Sequence, residues 1–205
     1  MEKDIIFLEE NLFMGIGNHK TVYRHPREEK QCIKILHEPR DPDLERELAY
    51  RKVLGDRARH MSLLTTYYGK IPTSKGDGYV FERVVDYDGK TSRTMLEVLD
   101  EAQKNAVDRP AAEKMLLQFK QAYFGEEFLV AGMDPDNFLV QRLSPEKTTI
   151  RIIDNIGCSA KLPLAYYIGW VRRKRLKKYW NRFLDILEQD YAPLLTDEFR
   201  KQLAL

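Results

Sequence analysis

Met133-Asp134-Pro135-Asp136-Asn137-Phe138-Leu139-Val140 and, a hairpin's length further on, Ile152-Ile153-Asp154-Asn155-Ile156-Gly157 are the stretches that decide how this chain is read. Each sets an oxygen donor at the end of a short apolar strand. Asn137 precedes Phe138-Leu139-Val140, and Asp154 follows Ile150-Arg151-Ile152-Ile153. On adjacent antiparallel strands the two donors would converge on one hard cation. Mg²⁺ bridging nucleotide phosphates needs only one or two carboxylates from the protein. Gly157 lets the backbone turn away after the aspartate. Taken singly, each loop is equally well explained as an Asx-turn joining two strands.

Further upstream, Gly15-Ile16-Gly17 ends a strand and Thr21-Val22-Tyr23 begins the next. Backbone amides in such a turn can approach a phosphate closely because no Cβ intervenes. The third glycine of a G-x-G-x-x-G pattern is missing, since Lys20 holds that place, and an ordinary hairpin turn is the commoner explanation for this feature alone. In Cys32-Ile33-Lys34-Ile35-Leu36, alternation puts Cys32, Lys34 and Leu36 on one face. A lysine in that setting needs an anion or a route to water. On the helix that follows, Glu47 shares the apolar stripe of Leu44, Leu48 and Leu54, whereas Glu45 lies beside Ala49 and Lys52. Glu47 is therefore the inward carboxylate, able to pair with Lys34. The alternative is a snorkelling lysine and a glutamate at the stripe's edge.

The remaining elements surround these residues. Residues 5–13, 21–23, 32–36, 65–71 and 79–85 read as strands, the last two joined by a turn at Gly76-Asp77-Gly78. A helix begins at Asp41 or Asp43 and ends near Gly55, with Pro39 and Pro42 excluding a regular element between Leu36 and Leu44. Pro110 opens a long helix with Met115, Leu116, Phe119, Ala122 and Tyr123 at helical spacing. A second long helix shows Leu176, Tyr179, Trp180, Phe183, Leu184 and Leu187 on one face. This order predicts an α+β fold of two lobes. Residues 1–88 form a strand-rich N-lobe with one helix, and residues 89–205 a helical C-lobe, the boundary lying at residues 86–90.

Composition narrows the function classes. A chain of 205 residues can bury a sizeable core, and 32% charged residues leave no apolar run near the roughly 20 that a membrane span needs. Met1-Glu2-Lys3-Asp4 leads straight into a strand-like segment, so neither a signal nor a transit peptide is expected. Cys32 and Cys158 are far apart and outside any metal-ligand spacing, which points to a reducing, cytoplasmic setting. The net charge of +2 conceals a cluster: Arg172, Arg173, Lys174, Arg175, Lys177, Lys178 and Arg182. The favoured explanation is a solvated helix face with some arginines bonded to carboxylates. The functional one is a patch for an acidic protein or an anionic surface. Nucleic-acid binding is not indicated and would be sequence-blind.

In this order the residues resemble a protein kinase: Gly15-x-Gly17 with Val22, Lys34, Glu47, a connector strand, Pro135-x-Asn137-Phe138-Leu139-Val140, then Asp154-x-x-Gly157. More narrowly, Val22-Tyr23-Arg24-His25-Pro26, Cys32-Ile33-Lys34-Ile35, Gly78-Tyr79-Val80, Asp86-Tyr87-Asp88-Gly89-Lys90 and Asp154-Asn155-Ile156-Gly157 resemble the bacterial YrbL, or PhoP regulatory network, family. The resemblance implies a two-lobed protein-kinase-like fold with a reduced C-terminal lobe, and ATP and Mg²⁺ as ligands. It implies Gly15, Gly17 and Lys20 along the phosphates, with Lys34 on the α- and β-phosphates and on Glu47. It sets Cys32 and Glu82-Arg83-Val84 at the adenine, and Asn137 and Asp154 on the metal.

The departures matter as much. Gly132 stands where kinases carry the base aspartate, with Val130 and Ala131 in place of the preceding His and Arg. Asp134 stands where they usually keep a lysine. Asp134 is then a displaced base, a third metal ligand, or a cap for the Pro135 turn. The segment at residues 158–163 is short and lacks an Ala-Pro-Glu motif, so no long activation segment is available to hold a peptide. The expected function is a kinase-like phosphotransferase acting on a non-peptide or tightly docked acceptor. The alternatives are a pseudokinase acting as a regulatory binding module, or an AMP transferase.

Overall fold

Alternating apolar residues build the first sheet. The computed structural model describes residues 5–160 and 162–205. The Met1-Glu2-Lys3-Asp4 stretch lies outside the described residues, as does Lys161 within the short segment after Gly157. β1 (Phe13–Ile16), β2 (Lys20–Arg24), β3 (Gln31–Leu36), β4 (Tyr67–Thr73) and β5 (Gly76–Glu82) form a five-stranded sheet in the order β1-β2-β3-β5-β4, antiparallel throughout. The pleat sends successive side chains to opposite faces. Ile33, Ile35, Val80 and Tyr23 therefore pack on one side with Ile6 and Leu8. Cys32 and Phe81 pack on the other with Leu44, Val22 and Leu48.

Leu44 and Leu48 belong to α1 (Pro42–Leu54), which joins β3 to β4 along the chain. Asp41 is its cap, accepting from the N–H groups of Asp43 at 2.9 Å and Leu44 at 3.3 Å. Pro42 is the first helical residue, so it opens the helix instead of excluding one, since its missing N–H would have no partner there anyway. Two further expectations change. Residues 5–13 do not form one strand: Ile6 makes an isolated bridge to Thr73, Glu10–Leu12 form a 3-10 turn, and the first continuous strand begins only at Phe13. The glycines at 76 and 78 lie inside β5, and the chain turns at Ser74-Lys75. Gly78 answers to packing: a Cβ there would lie 2.5 Å from Ile33 Cγ2 and 2.9 Å from Thr73 Cγ2.

The second half is helical: α2 (Met95–Lys104), α3 (Arg109–Glu126), α4 (Gly169–Asp190) and α5 (Asp197–Leu203). Aromatic rings fill its core. Phe119 of α3 lies 4.9 Å from Phe138 and meets Phe183 of α4 edge-on at 5.5 Å. The Trp180 indole N–H donates to Leu203 O at 2.9 Å, which docks α5. The sequence pattern predicts no separate helix at α2, which opens the half assigned to residues 89–205. Only Met95, Leu99 and Ala102 of its ten residues are buried, a stripe too narrow to announce itself. Its start is marked by a capping box between Thr94 and Glu97.

A small sheet, β6 (Arg93–Thr94), β7 (Phe138–Arg142) and β8 (Thr148–Ile152), carries the two decisive loops at its strand ends. Phe138 stands opposite Ile152, so Asn137 and Ile153 are neighbours across the pair. The whole is an α+β fold, with the five-stranded sheet and α1 in the first part of the chain and four helices around the small sheet in the rest, the order expected of a kinase-like chain. Among the described residues, no helix is long and apolar enough to cross a membrane.

Candidate functional site

Two buried lysines face the same way from the first sheet. The register sets Lys20 opposite Leu36 and Val22 opposite Lys34, so Lys20, Val22 and Lys34 share a face. Lys20 is 7% exposed and Lys34 6%. Ammonium groups this deep require anions or strong dipoles. Lys20 Nζ lies 2.9 Å from each carboxylate oxygen of Asp154 and 3.4 Å from Asp41 Oδ2. Lys34 Nζ donates to Ile153 O at 2.6 Å and sits 4.4 Å above the Phe81 ring. Burial works against charge on Lys20, but Asp154 and then Asp41 outweigh it, and its pKa is raised. Burial likewise pushes Asp154 up, and Lys34 and Lys20 together pull it below the usual carboxylate range.

Glu47 points inward as its stripe required, at 1% exposure, but its partner is not Lys34. Its carboxylate accepts from Arg51 Nε at 2.8 Å and Nη2 at 2.6 Å, one helical turn on. Arg51 also donates to Thr65 O at 2.6 Å. No ion pair joins Glu47 to Lys34 among the described residues. Both Arg51 donors converge on one Glu47 oxygen, Oε1, and Lys34 instead donates to the Ile153 carbonyl.

The loops are tied to each other. Ile153 N–H donates to Asn137 O at 3.0 Å, and Asn137 closes a 3-10 turn over Pro135–Asn137 by donating to Asp134 O at 3.0 Å. The Asp134 side chain makes no capping bond to this turn and is exposed, which disposes of the cap expectation. Of the residues singled out in the sequence, Gly17, Lys20, Lys34, Asp134, Asn137 and Asp154 line one cleft of about 650 Å³. Gly15, Cys32, Glu47, Glu82 and Val84 do not line it. Cys32 is packed against Phe81 and Leu44, and its thiol meets Glu82 O at 3.7 Å. The Glu82 carboxylate is held by Arg151 and by the Thr66 N–H, in a separate cavity behind the connector. Val84 is buried.

The cleft also takes in residues that sequence reasoning passed over: His19, Asp43, Asp136 and Asn155. Asp136 is exposed, but partial desolvation of its carboxyl in the cleft, and then the neighbouring Asp134, push it above its ordinary value. Asn155 has a left-handed backbone, φ 56°, and its side chain fills the space beside Gly132. A Cβ at Gly132 would lie 2.8 Å from Asn155 Cγ. Arg46 of α1 holds this loop, donating to Asn155 Oδ1 at 3.3 Å and Ile156 O at 3.1 Å while paired to Asp43 at 2.6 Å. An asparagine after the aspartate, able to adopt φ > 0, was the only local signal for this arrangement.

Chemically, the cleft offers two ammonium groups for phosphate oxygens and a hard-oxygen set suited to Mg²⁺. Asp154 and Asn137 supply protein donors, and phosphates would complete the sphere. Asp41 Oδ2 is buried without a hydrogen-bond donor, relying on Lys20 alone. The donors therefore fit a metal–phosphate ligand. On α4, Arg172 and Arg173 bond Glu127 at 2.8 and 2.9 Å, as expected of a helix face with arginines on carboxylates. Lys174, Lys177, Lys178 and Arg182 are exposed.

Comparison with known proteins gives a consistent picture. The model of the PhoP regulatory network protein YrbL family matches residues 6–188, and the chain belongs to that family. It is 31% identical over 183 residues to the uncharacterized protein YrbL of Escherichia coli (strain K12), covering 88% of this chain and 87% of that protein. The uncharacterized YrbL of Shigella flexneri matches to the same extent. Among solved structures, the crystal structure of the BubR1 kinase domain aligns at 16% identity with a TM-score of 0.45, over 70% of this chain and 45% of that one. The chain thus spans less than half of that structure's length.

Proposed function

We propose that this member of the YrbL family binds ATP with Mg²⁺ in the cleft between its lobes and transfers a phosphoryl group to a non-peptide or tightly docked acceptor. The observation that carries the proposal is the meeting of Lys20 and Lys34 with Asp154 in one cleft that also contains Asn137 and Asp134. Asp154 and Asp41 satisfy the Lys20 charge. Phosphate oxygens would replace Asp154 at Lys20, leaving the Asp154 carboxylate to the cation. When bound, Mg²⁺ neutralises phosphate charge, and Asp154 and Asn137 are the residues that would hold it.

In the transfer, the acceptor hydroxyl oxygen bonds to the γ-phosphorus, the bond to the β,γ-bridging oxygen breaks, and ADP departs. The hydroxyl proton passes to Asp134, whose side chain is free of its own turn and lines the cleft. A second reading has one observation in its favour: the place of the usual base is a glycine, and the Asn155 amide occupies the adjoining space. On that reading the cleft binds nucleotide and transfers nothing. A cytoplasmic location accords with ATP as ligand and with two free, buried cysteines.

Thermal denaturation with and without ATP and Mg²⁺, on wild type and Asp154→Ala, tests the binding. A ligand-induced rise confined to wild type supports it, and no rise in either protein overturns it. ATP turnover that disappears in Asp134→Ala while the thermal rise persists assigns the base. A thermal rise without turnover in wild type selects the second reading.

A further inference from the structure

The residues that lead into α4 leave an apolar surface uncovered beside the lysines. Trp170 is 71% exposed and Tyr167 73%, and Leu162 and Leu164 are exposed with them. Elsewhere in the same helix the aromatic residues Tyr179, Trp180 and Phe183 are wholly buried. Large side chains this open, four within a short stretch, lose free energy in water unless something covers them. Helical spacing continues the patch into charge: from Trp170, the positions three, four and seven residues on are Arg173, Lys174 and Lys177, which share its side of the helix. Lys178 borders the same stripe.

The chemistry of these charges tells what covers the surface. Arg172 and Arg173, whose planar forks recognise a carboxylate at fixed geometry, are already committed to Glu127. On the stripe that continues from Trp170, the cations left without a carboxylate among the described residues are the lysines Lys174 and Lys177, compact point charges on flexible stems, which suit a diffuse anionic plane better than a shaped acidic partner. Tryptophan and tyrosine set beside leucines and ringed by lysine make up the residue set that settles at a bilayer's headgroup level. We propose that this face docks on an anionic phospholipid surface, with Trp170 and Tyr167 inserted at the interface and Lys174, Lys177 and Lys178 over the lipid phosphates. The proposal is independent of nucleotide binding, since none of these residues lines the cleft.

The test uses the full chain with vesicles of phosphatidylcholine, with and without phosphatidylglycerol. The protein sediments with the phosphatidylglycerol vesicles and stays in solution with phosphatidylcholine alone. Trp180 is sealed in the core, so a blue shift of tryptophan emission on binding reports Trp170, and Trp170→Phe abolishes it. Each lysine removed, as in Lys174→Gln and Lys177→Gln, lowers partitioning about fivefold. Trp170→Ser with Tyr167→Ser weakens binding without moving the thermal midpoint, because both side chains are exposed. The proposal fails if the chain does not bind the anionic vesicles. It also fails if the serine pair leaves binding unchanged, or if soluble polyglutamate or single-stranded DNA binds as well as the vesicles and with the same loss on removing Trp170.

Discussion

Lys20 reaches across from the second strand to place its ammonium group 2.9 Å from both oxygens of Asp154. Lys20 replaces a glycine of the phosphate-loop pattern, and Asp154 is the residue proposed to hold the metal. The cation thus occupies the ground that metal and phosphate would take. Removing Lys20 should have two separable effects. Lys20→Met costs about 2–3 kcal/mol of stability, since Asp154 and Asp41 lose a buried partner. It also weakens ATP binding roughly tenfold, a loss near 1.4 kcal/mol. In urea denaturation, the double variant Lys20→Met/Asp154→Asn should lose less than the sum of the single variants. Additive losses would show that the pair is not coupled.

Acid should act through the same carboxylate. A carboxyl whose folded pKa is depressed stabilises the fold fully above its unfolded pKa of about 4, and that contribution is lost as pH falls through the folded value. Asp154 is of this kind, held down by Lys34 and Lys20 against the upward push of burial. The urea midpoint of wild type should therefore fall as the pH drops below about 5, and that of Asp154→Asn should fall less over the same range.

Asp136 has the opposite sign. Its carboxyl is raised by partial desolvation in the cleft and by Asp134, so ionisation costs stability as pH rises from the unfolded toward the folded value. Asp136→Asn should raise the thermal midpoint at neutral pH, and the gain should vanish in acid where the wild-type group is protonated. A gain that is equal at both pH values would mean the effect is not electrostatic.

Restoring a base at the position of Gly132 should fail. A Cβ there meets the Asn155 side chain at 2.8 Å, so Gly132→Asp overpacks the site and costs about 1–3 kcal/mol. Combining it with Asn155→Gly, which tolerates the positive φ, should recover most of that loss in a thermal melt. No recovery would place the strain elsewhere.

Glu47 and Lys34 should behave as unrelated residues. Arg51→Met leaves Glu47 buried without its partner and costs about 3–5 kcal/mol. Lys34→Met should abolish the ATP-dependent thermal rise, whereas Glu47→Gln lowers the midpoint and keeps most of that rise. Equal loss of the rise in both variants would reinstate a functional Lys34–Glu47 pair.

How much of this was readable in advance depends on the range of each interaction. Asn137 and Asp154 could be picked out because an oxygen donor at the end of an apolar strand is a local pattern. The inward turn of Glu47 followed from the Leu44 and Leu48 stripe. Its partner did not follow, although Arg51 stood at i+4, the spacing at which helix side chains meet. Gly78 was misassigned to a turn because a glycine required by Ile33 on the next strand looks the same in sequence as one required by a bend.

The sequence by itself determined the alternation that sends Lys34 to the cleft face, the capped start of α1, the aromatic stripe of α4 and the kinase-like order of the motifs. The first three rest on residues within a few positions of one another, and the last on the order of such short motifs along the chain. Only the tertiary structure decided that Lys20 neutralises Asp154, that Asn155 fills the space beside Gly132, and that Trp170 stays in solvent while Trp180 is sealed. The reason is physical: a buried charge or ring takes whichever partner the packed lobes bring within reach, and Lys20 and Asp154 are brought together across 134 positions of chain.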